Sequence, residues 1–296
     1  MLLKCVVTGS SGFVGKHLVK KLVSLGHEVL GIDKIPYSFE AAKTVCVDLL
    51  DMDVNLECDV LFHLAGITNA AYAQAHFRET IDSNEVALVN TLEHVKAGKV
   101  IFTSSAVVYG NQSLSNIPES AKLKPASFYG VSKMHAENIV RCYSKSFGIA
   151  RFFNLYGEGQ GAQYLIPSIF SQAEKGKISL WSGGDVRDFV FVEDAVDALL
   201  LLLEHNNLTL NVGTGIGRTA LSVAEEINKA YNVPIECGKQ SFEYSPSRLV
   251  SDNSVLRNLG WGPKVSFEEG IAKLISMRAL VWTEKATEEA IKQNKL

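Results

Sequence analysis

The sequence lacks what would mark a disulfide-stapled, metal-bound or membrane-embedded protein. Its five cysteines, Cys5, Cys46, Cys58, Cys142 and Cys237, are odd in number and scattered, with no C-x-x-C pair and no histidine at ligand spacing. They read as reduced core thiols, and no metal site is expected. No apolar run approaches the ~20 residues that span a bilayer, and no basic segment leads into an apolar stretch and a cleavage site. The expectation is a soluble, unsecreted, cytoplasmic protein with no membrane partner. Charge of one sign is missing too: the net charge is −3 over 296 residues, which leaves no basic footprint for nucleic acid. Runs rich in glycine, serine or proline do not interrupt the middle of the chain. Hydrophobic residues make up 47% against 21% charged, a composition that buries a core. Only 283–296, TEKATEEAIKQNKL, reads as a frayed or disordered tail.

What is present is an alternation of short apolar runs with helical patterns. Strands are expected at 3–7, 28–32, 45–47, 60–64 and 100–103, with helices at 14–25 and 81–95 among them. A helix over 127–146 and a strand over 149–154 follow. Shorter elements come next, including helices at 194–204, 220–231, 254–259 and 267–281 and a strand at 208–212. The runs KCVVTG, VLFHLAG and KVIFTSSA are continuously apolar, as in strands covered on both faces. The fold class that follows is α/β, a doubly wound parallel sheet whose ligands bind beyond the carboxyl ends of the strands.

Two constellations lie at those ends. In VVTGSSGFVGKHL, Gly9, Gly12 and Gly15 stand between a strand and an amphipathic helix. Glycines there let backbone N–H groups approach a pyrophosphate, and Ser10 and Ser11 add short hydrogen-bonding side chains. Asp33 ends the next strand, where a carboxylate accepts from ribose hydroxyls and repels a 2′-phosphate. NAD is therefore favoured over NADP, although Lys34 beside it is a cation that could turn toward a phosphate. Further on, SFYGVSKMHAE sets Tyr129 and Lys133 four residues apart, on one helix face. A tyrosine titrates near about 10 and becomes a base at neutral pH only beside positive charge. The strand ending in Thr103, Ser104 and Ser105 offers hydroxyls to hold a substrate oxygen while Tyr129 moves its proton. His63 and His135 are set aside as structural.

These residues resemble the extended short-chain dehydrogenase/reductases, the group of nucleotide-sugar epimerases, dehydratases and reductases. The matches run in family order over nearly the whole chain: TGSSGFVG, Asp33, Asp48 in VCVDLLD, FHLAG, Asn84, TSSAVVYG, Tyr129-x-x-x-Lys133, RFFNLYGEGQ, RDFVFVEDAVDA, LNVGTG and LGWGP. The resemblance implies a Rossmann domain over 1–155, with segments about 188–212 returning to it, and a smaller substrate domain over 156–296. It implies Ser105, Tyr129 and Lys133 as the catalytic set. For the cofactor it implies Gly9, Ser11, Gly12, Phe13, Val14, Gly15, Asp33 and Lys34, then Asp48 and Leu49 near the adenine. Leu64, Ala65, Gly66, Asn84, Thr103, Tyr129 and Lys133 complete that set. Ser105, Ala106, Asn154, Arg187 and Arg248 are implied for a nucleotide-sugar substrate, and a homodimer for the assembly.

Dehydratases of this kind carry acids just after the catalytic hydroxyl, where this chain has Ala106 and Val107. That favours redox-neutral 4-epimerisation of a UDP-sugar over elimination. A reductase of a 4-keto-6-deoxy nucleotide sugar, consuming NAD(P)H, is the alternative. A non-catalytic dinucleotide sensor is a third reading, which the complete Ser105, Tyr129 and Lys133 set argues against. Two departures from the pattern, Glu158 in place of a proline and a short SGGDVRDF segment, fall in loops that shape the substrate pocket.

Overall fold

The computed structural model describes residues 2–40, 42–239 and 246–278. The first half runs β1 (Lys4–Thr8), α1 (Phe13–Ser24), β2 (Glu28–Asp33), β3 (Lys43–Cys46), β4 (Leu56–His63), α2 (Ala70–Ala75), α3 (Phe77–Ile81), α4 (Ala87–His94), β5 (Val95–Ser105), α5 (Phe128–Tyr143) and β6 (Phe147–Phe152). The second half runs β7 (Asn154–Tyr156), α6 (Leu165–Ala173), β8 (Ile178–Leu180), β9 (Val186–Phe191), α7 (Val192–Leu201), β10 (Leu208–Val212), β11 (Gly217–Thr219), α8 (Ala220–Asn228), β12 (Ile235–Cys237), β13 (Arg248–Leu249) and α9 (Ser254–Asn258). A last helix, α10, covers 267–278. The tail expected at 283–296 lies outside the described residues.

Seven strands form one sheet in the order β3-β2-β1-β4-β5-β6-β10, every pair parallel. The chain winds outward from β1 to one edge and then from β4 to the other, so the crevice at their carboxyl ends is the switch point of the fold. Both faces are covered, which is why the strands read as unbroken apolar runs. Leu18, Val19 and Leu22 of α1 and Val196 and Leu199 of α7 pack on one face. Leu88 and Leu92 of α4 and Ala136 and Val140 of α5 pack on the other.

The smaller sheet is centred on β9, with β7 and β13 parallel to it and β11 antiparallel. Its core gathers Phe170, Phe189, Phe191, Ile227 and Ile271. The chain then crosses back: α7 and β10 join the larger unit, as do Leu256 of α9 and Trp261. The Trp261 indole donates to the Asp194 carbonyl at 2.9 Å, and the Asp194 carboxylate accepts from the Lys264 and Val265 amides. Among the described residues no helix is long and apolar enough to cross a membrane.

Three local differences from the sequence expectation have physical causes. The helix expected at 81–95 is broken by a π turn at Asp82–Val86. β5 begins at Val95 because Leu56–Cys58 of β4 pair with Val95–Ala97, and strand pairing overrides helical propensity. The expected helix at 127–146 is α5, started by Ser127, whose hydroxyl accepts from the Gly130 amide at 3.2 Å.

One buried cation joins the sheet to α7. Lys99 of β5 is 9% exposed, and its Nζ donates to the carbonyls of Leu202, Leu203 and His205 at 3.0, 2.7 and 3.1 Å. These oxygens have no helical partners, and the negative end of the helix dipole favours a cation there. Lys99→Met is expected to lower the unfolding free energy by about 1–3 kcal/mol, read from urea denaturation, without changing cofactor affinity.

Candidate active site

The nucleotide end is built by backbone. After β1 the chain turns at Gly9, whose φ is 71° and where a Cβ would stand 2.7 Å from the Ala65 nitrogen. A Cβ on Gly15 would stand 2.1 Å from the Gly9 carbonyl oxygen, so strand and helix meet this closely only through glycine. The α1 N-cap is Gly12, with no side-chain cap, which leaves first-turn N–H groups open to an anion. Asp33 closes the loop above: its carboxylate accepts from the Ser11 and Ile35 amides, both at 3.0 Å. The Ser11 hydroxyl donates to the Ile35 carbonyl at 2.7 Å. Ser11 therefore braces the loop and does not border the cavity that opens here. Lys34 leans toward Asp48, 4.0 Å away, and the other Asp48 oxygen accepts from the Leu50 amide at 3.1 Å.

The cavity extends from this turn along the strand ends and measures about 1230 Å³. Gly9, Gly12, Phe13, Val14, Gly15, Asp33, Lys34, Asp48, Leu49, Leu64, Ala65 and Gly66 border it on the nucleotide side. Thr103, Ser105, Ala106, Tyr129, Lys133 and Asn154 border its other end. Asn84, expected to touch the cofactor, lies beneath the lining. Its amide oxygen accepts from the Ile67 amide at 2.7 Å, and its nitrogen donates to the Ile67 carbonyl and the Ser132 hydroxyl. The π turn lifts Asn84 into this position, so it holds the loop after β4 against α5.

At the reacting end Lys133 and Tyr129 are both buried. The Lys133 ammonium donates to the Thr103 carbonyl at 3.0 Å and sits 4.9 Å from the centre of the Phe102 ring. Burial pushes it down to about 8, against the Glu137 carboxylate, which raises it. Burial also raises the Tyr129 phenol above its ordinary value, and a hydrogen bond from Ser105 lowers it. In the chain alone burial prevails, so Tyr129 is a phenol, and the expected depression by Lys133 is not present without a further cation. His63 is fully buried, 3.0 Å from the Thr8 hydroxyl, and burial pushes it down to about 3, so it is neutral and structural.

Two residues expected to contact the substrate stand away from the cavity lining in the chain alone. Arg187 does not border the cavity and donates to the Val186 carbonyl at 3.0 Å. Arg248 also stands off, donating to the Ser115 carbonyl at 2.9 Å. Both are drawn into the pairing of β9 with β13. A contact missed by sequence reasoning spans the cleft instead: the Thr68 hydroxyl and the Tyr164 phenol are 2.7 Å apart, 96 residues from each other in the chain. Glu158, the departure noted above, offers its carbonyl to the His17 ring at 3.0 Å. The carboxylates bordering the cavity are Asp33, Asp48, Glu79 and Asp82. Glu79 accepts from the Tyr72 hydroxyl and Asp82 from Arg78, and none stands beside Ser105, where Ala106 and Val107 lie.

These residues fit a dinucleotide. A cradle that a Cβ would fill, an acid ending β2 and a volume above the roughly 300–1,000 Å³ of single-ligand pockets suit a cofactor with a second ligand beside it. A family model described as the NAD dependent epimerase/dehydratase family matches residues 5–213. A UDP-glucose 4-epimerase of Mycolicibacterium smegmatis is 30% identical, covering 92% of this chain and 97% of its own. A putative UDP-glucose 4-epimerase of Methanocaldococcus jannaschii is 27% identical over the same shares, 92% and 97%. The solved structure of MoeE5 in complex with UDP-glucose and NAD superposes with a TM-score of 0.86 at 25% identity, covering 96% of this chain and 99% of that one. Asp33→Asn is expected to lower the ratio of NAD to NADP affinity roughly tenfold, the worth of one charge-assisted hydrogen bond, measured by calorimetric titration of both cofactors. Matched over most of its length and carrying a cleft that fits the cofactor, the chain belongs to the NAD dependent epimerase/dehydratase family, the extended short-chain dehydrogenase/reductase group that its motifs resemble, and is an enzyme whose cofactor is NAD.

Proposed function

We propose that the enzyme interconverts UDP-linked hexoses at C4. The observation that carries this reading is the make-up of the reacting end: one hydroxyl pair, Ser105 and Tyr129, one cation, Lys133, and the apolar Ala106 and Val107 where an elimination would need an acid and a base of its own. NAD, when bound, supplies a hydride acceptor that becomes the donor in the second half of the cycle, so no reductant is consumed.

The chain's own groups handle the proton. Tyr129 takes the proton from the C4 hydroxyl as the C4 hydrogen leaves as hydride. It returns the proton when hydride adds back to the opposite face of the 4-keto sugar. Ser105, at the same end of the cavity, steadies the same oxygen. Lys133 is held by the Thr103 carbonyl at the reacting end of the cavity, where it would bind the cofactor and, with the oxidised cofactor bound, would provide the positive charge that burial denies Tyr129. Asn154 borders the far side, in reach of the sugar or its phosphates. The relatives' names, UDP-glucose 4-epimerase, support the choice of nucleotide and carbon. The same reading includes a homodimer, supported by the exposed Val86 and Val89 and, on α5, Tyr143. It also includes the cytoplasm, where five free thiols stay reduced.

Protein purified without added cofactor and incubated with UDP-glucose or UDP-galactose should interconvert them, as read by NMR, while releasing oxidised NAD on denaturation. An inert panel, with NAD(P)H consumed once a 4-keto sugar nucleotide is supplied, would replace the epimerase with a reductase. Tyr129→Phe should lower kcat by about a hundred- to ten-thousandfold, the scale of general acid–base catalysis, and leave NAD affinity within about twofold. Near wild-type turnover in that variant would sink the mechanism.

A further inference from the structure

The reacting groups rest on a buried layer that the mechanism above does not use. Tyr129, Lys133 and Glu137 lie four residues apart on α5 and share a face, and Lys133 and Glu137 each bond one of the last three residues of β5. The Thr103 carbonyl accepts from Lys133 at 3.0 Å, the Ser104 hydroxyl donates to the Glu137 carboxylate at 2.6 Å, and Ser105 and Tyr129 border the same end of the cavity. Glu137 is fully buried. It accepts both arms of Arg151, at 2.8 and 2.7 Å, and one from Arg141 at 3.0 Å. Arg151 stands opposite Ser104 in the β5–β6 register, so the carboxylate caps two neighbouring strands at once. The other side of Ser105 is anchored to the same pair: the turn Ala106–Tyr109 ends in a phenol that accepts from Arg151 at 2.8 Å and donates to Asn211 of β10 at 2.7 Å.

We propose that Glu137 and Ser104 are positioning residues of the reaction: Glu137 fixes, through Ser104, the strand end that carries Ser105 against the helix that carries Tyr129, and supplies the negative charge faced by the Lys133 ammonium. This rests on the reading of Tyr129 and Lys133 given above. Burial alone would raise the Glu137 carboxyl, but Arg151, Ser104 and Arg141 hold it below the usual range, so it is ionised wherever the enzyme works. The titratable groups facing Lys133 are few. Tyr129 and Glu137 stand on its own helix, β4 contributes His63, which is neutral, and β5 contributes only the Thr103 carbonyl and the Phe102 ring. Glu137 is thus the anion that favours the charged form of Lys133.

Ser104→Ala tests the geometry, since it removes one hydrogen bond and leaves Glu137 paired to both arginines, so the chain still folds. We expect kcat to fall roughly tenfold, the worth of one charge-assisted hydrogen bond, with KM for UDP-glucose and NAD occupancy unchanged. Glu137→Gln alone would leave Arg151 buried without its partner and could unfold the chain, so the charge is tested in E137Q/R151Q. There the Cε resonance of Lys133, in protein carrying isotope-labelled lysine and assigned by its loss in Lys133→Met, should titrate roughly one pH unit lower than in wild type. A wild-type kcat in Ser104→Ala, whatever its melting temperature, or an unmoved Lys133 titration in the double variant, overturns the inference. The titration needs no turnover: a shifted resonance in an enzyme inert on every UDP-hexose sustains the inference and removes the epimerase reading instead.

Discussion

The Glu137–Arg151 ion pair is the joint on which the reacting end of this enzyme turns. Two opposite charges withdrawn from water cost several kcal/mol each, and their attraction repays that only when the remaining lone pairs and N–H groups are also bonded. Here they are. The carboxylate has Arg151 twice, Arg141 and Ser104, and the guanidinium also reaches the Tyr109 phenol and the Glu119 carbonyl. The arrangement is directional: it joins α5, the end of β5, the turn after it and β6 in one geometry, which an apolar contact of the same area would not impose.

A second buried carboxylate does comparable work in the smaller sheet. Asp188, at the centre of β9, accepts from the Thr214 and Gly215 amides, the Thr214 hydroxyl and both groups of Ser251. It gathers the loop after β10 and the segment after β13 onto the small sheet. Gly213 is required there, because a Cβ would stand 2.6 Å from the Asp188 oxygen.

The parts of the site written in local chemistry were legible in the sequence. Gly9, Gly15 and Asp33 declare themselves by a spacing that has one main physical use, and Tyr129 with Lys133 by a helical interval. Glu137 continues the same interval and carried a readable signal, but a carboxylate on a helix most often faces water, and only its pairing with Arg151 from another strand removes that reading. The brace that Asn84 makes to Ile67 and Ser132 was not legible, because it lies in a π turn that no propensity announces. Where the Arg187 and Arg248 side chains come to lie is not legible locally, because short strands such as β13 form only through pairing with β9. The Thr68–Tyr164 contact is a product of tertiary closure alone, and no local pattern encodes it. The parallel sheet was read correctly for a converse reason: burial on both faces imprints itself on every strand.

Lys99 has a bearing on how the chain comes to be folded. Its ammonium lies inside the central sheet, yet every oxygen that satisfies it belongs to residues 202–205, a separation of about a hundred positions. A nascent chain that has emerged only as far as β6 would hold this charge at the base of β5 with nothing to bind, and the edge of β6 with no β10 beside it. The ammonium and the outer edge of β6 are satisfied only once 202–205 and β10 are in place, and an unpaired strand edge is one that other chains can join.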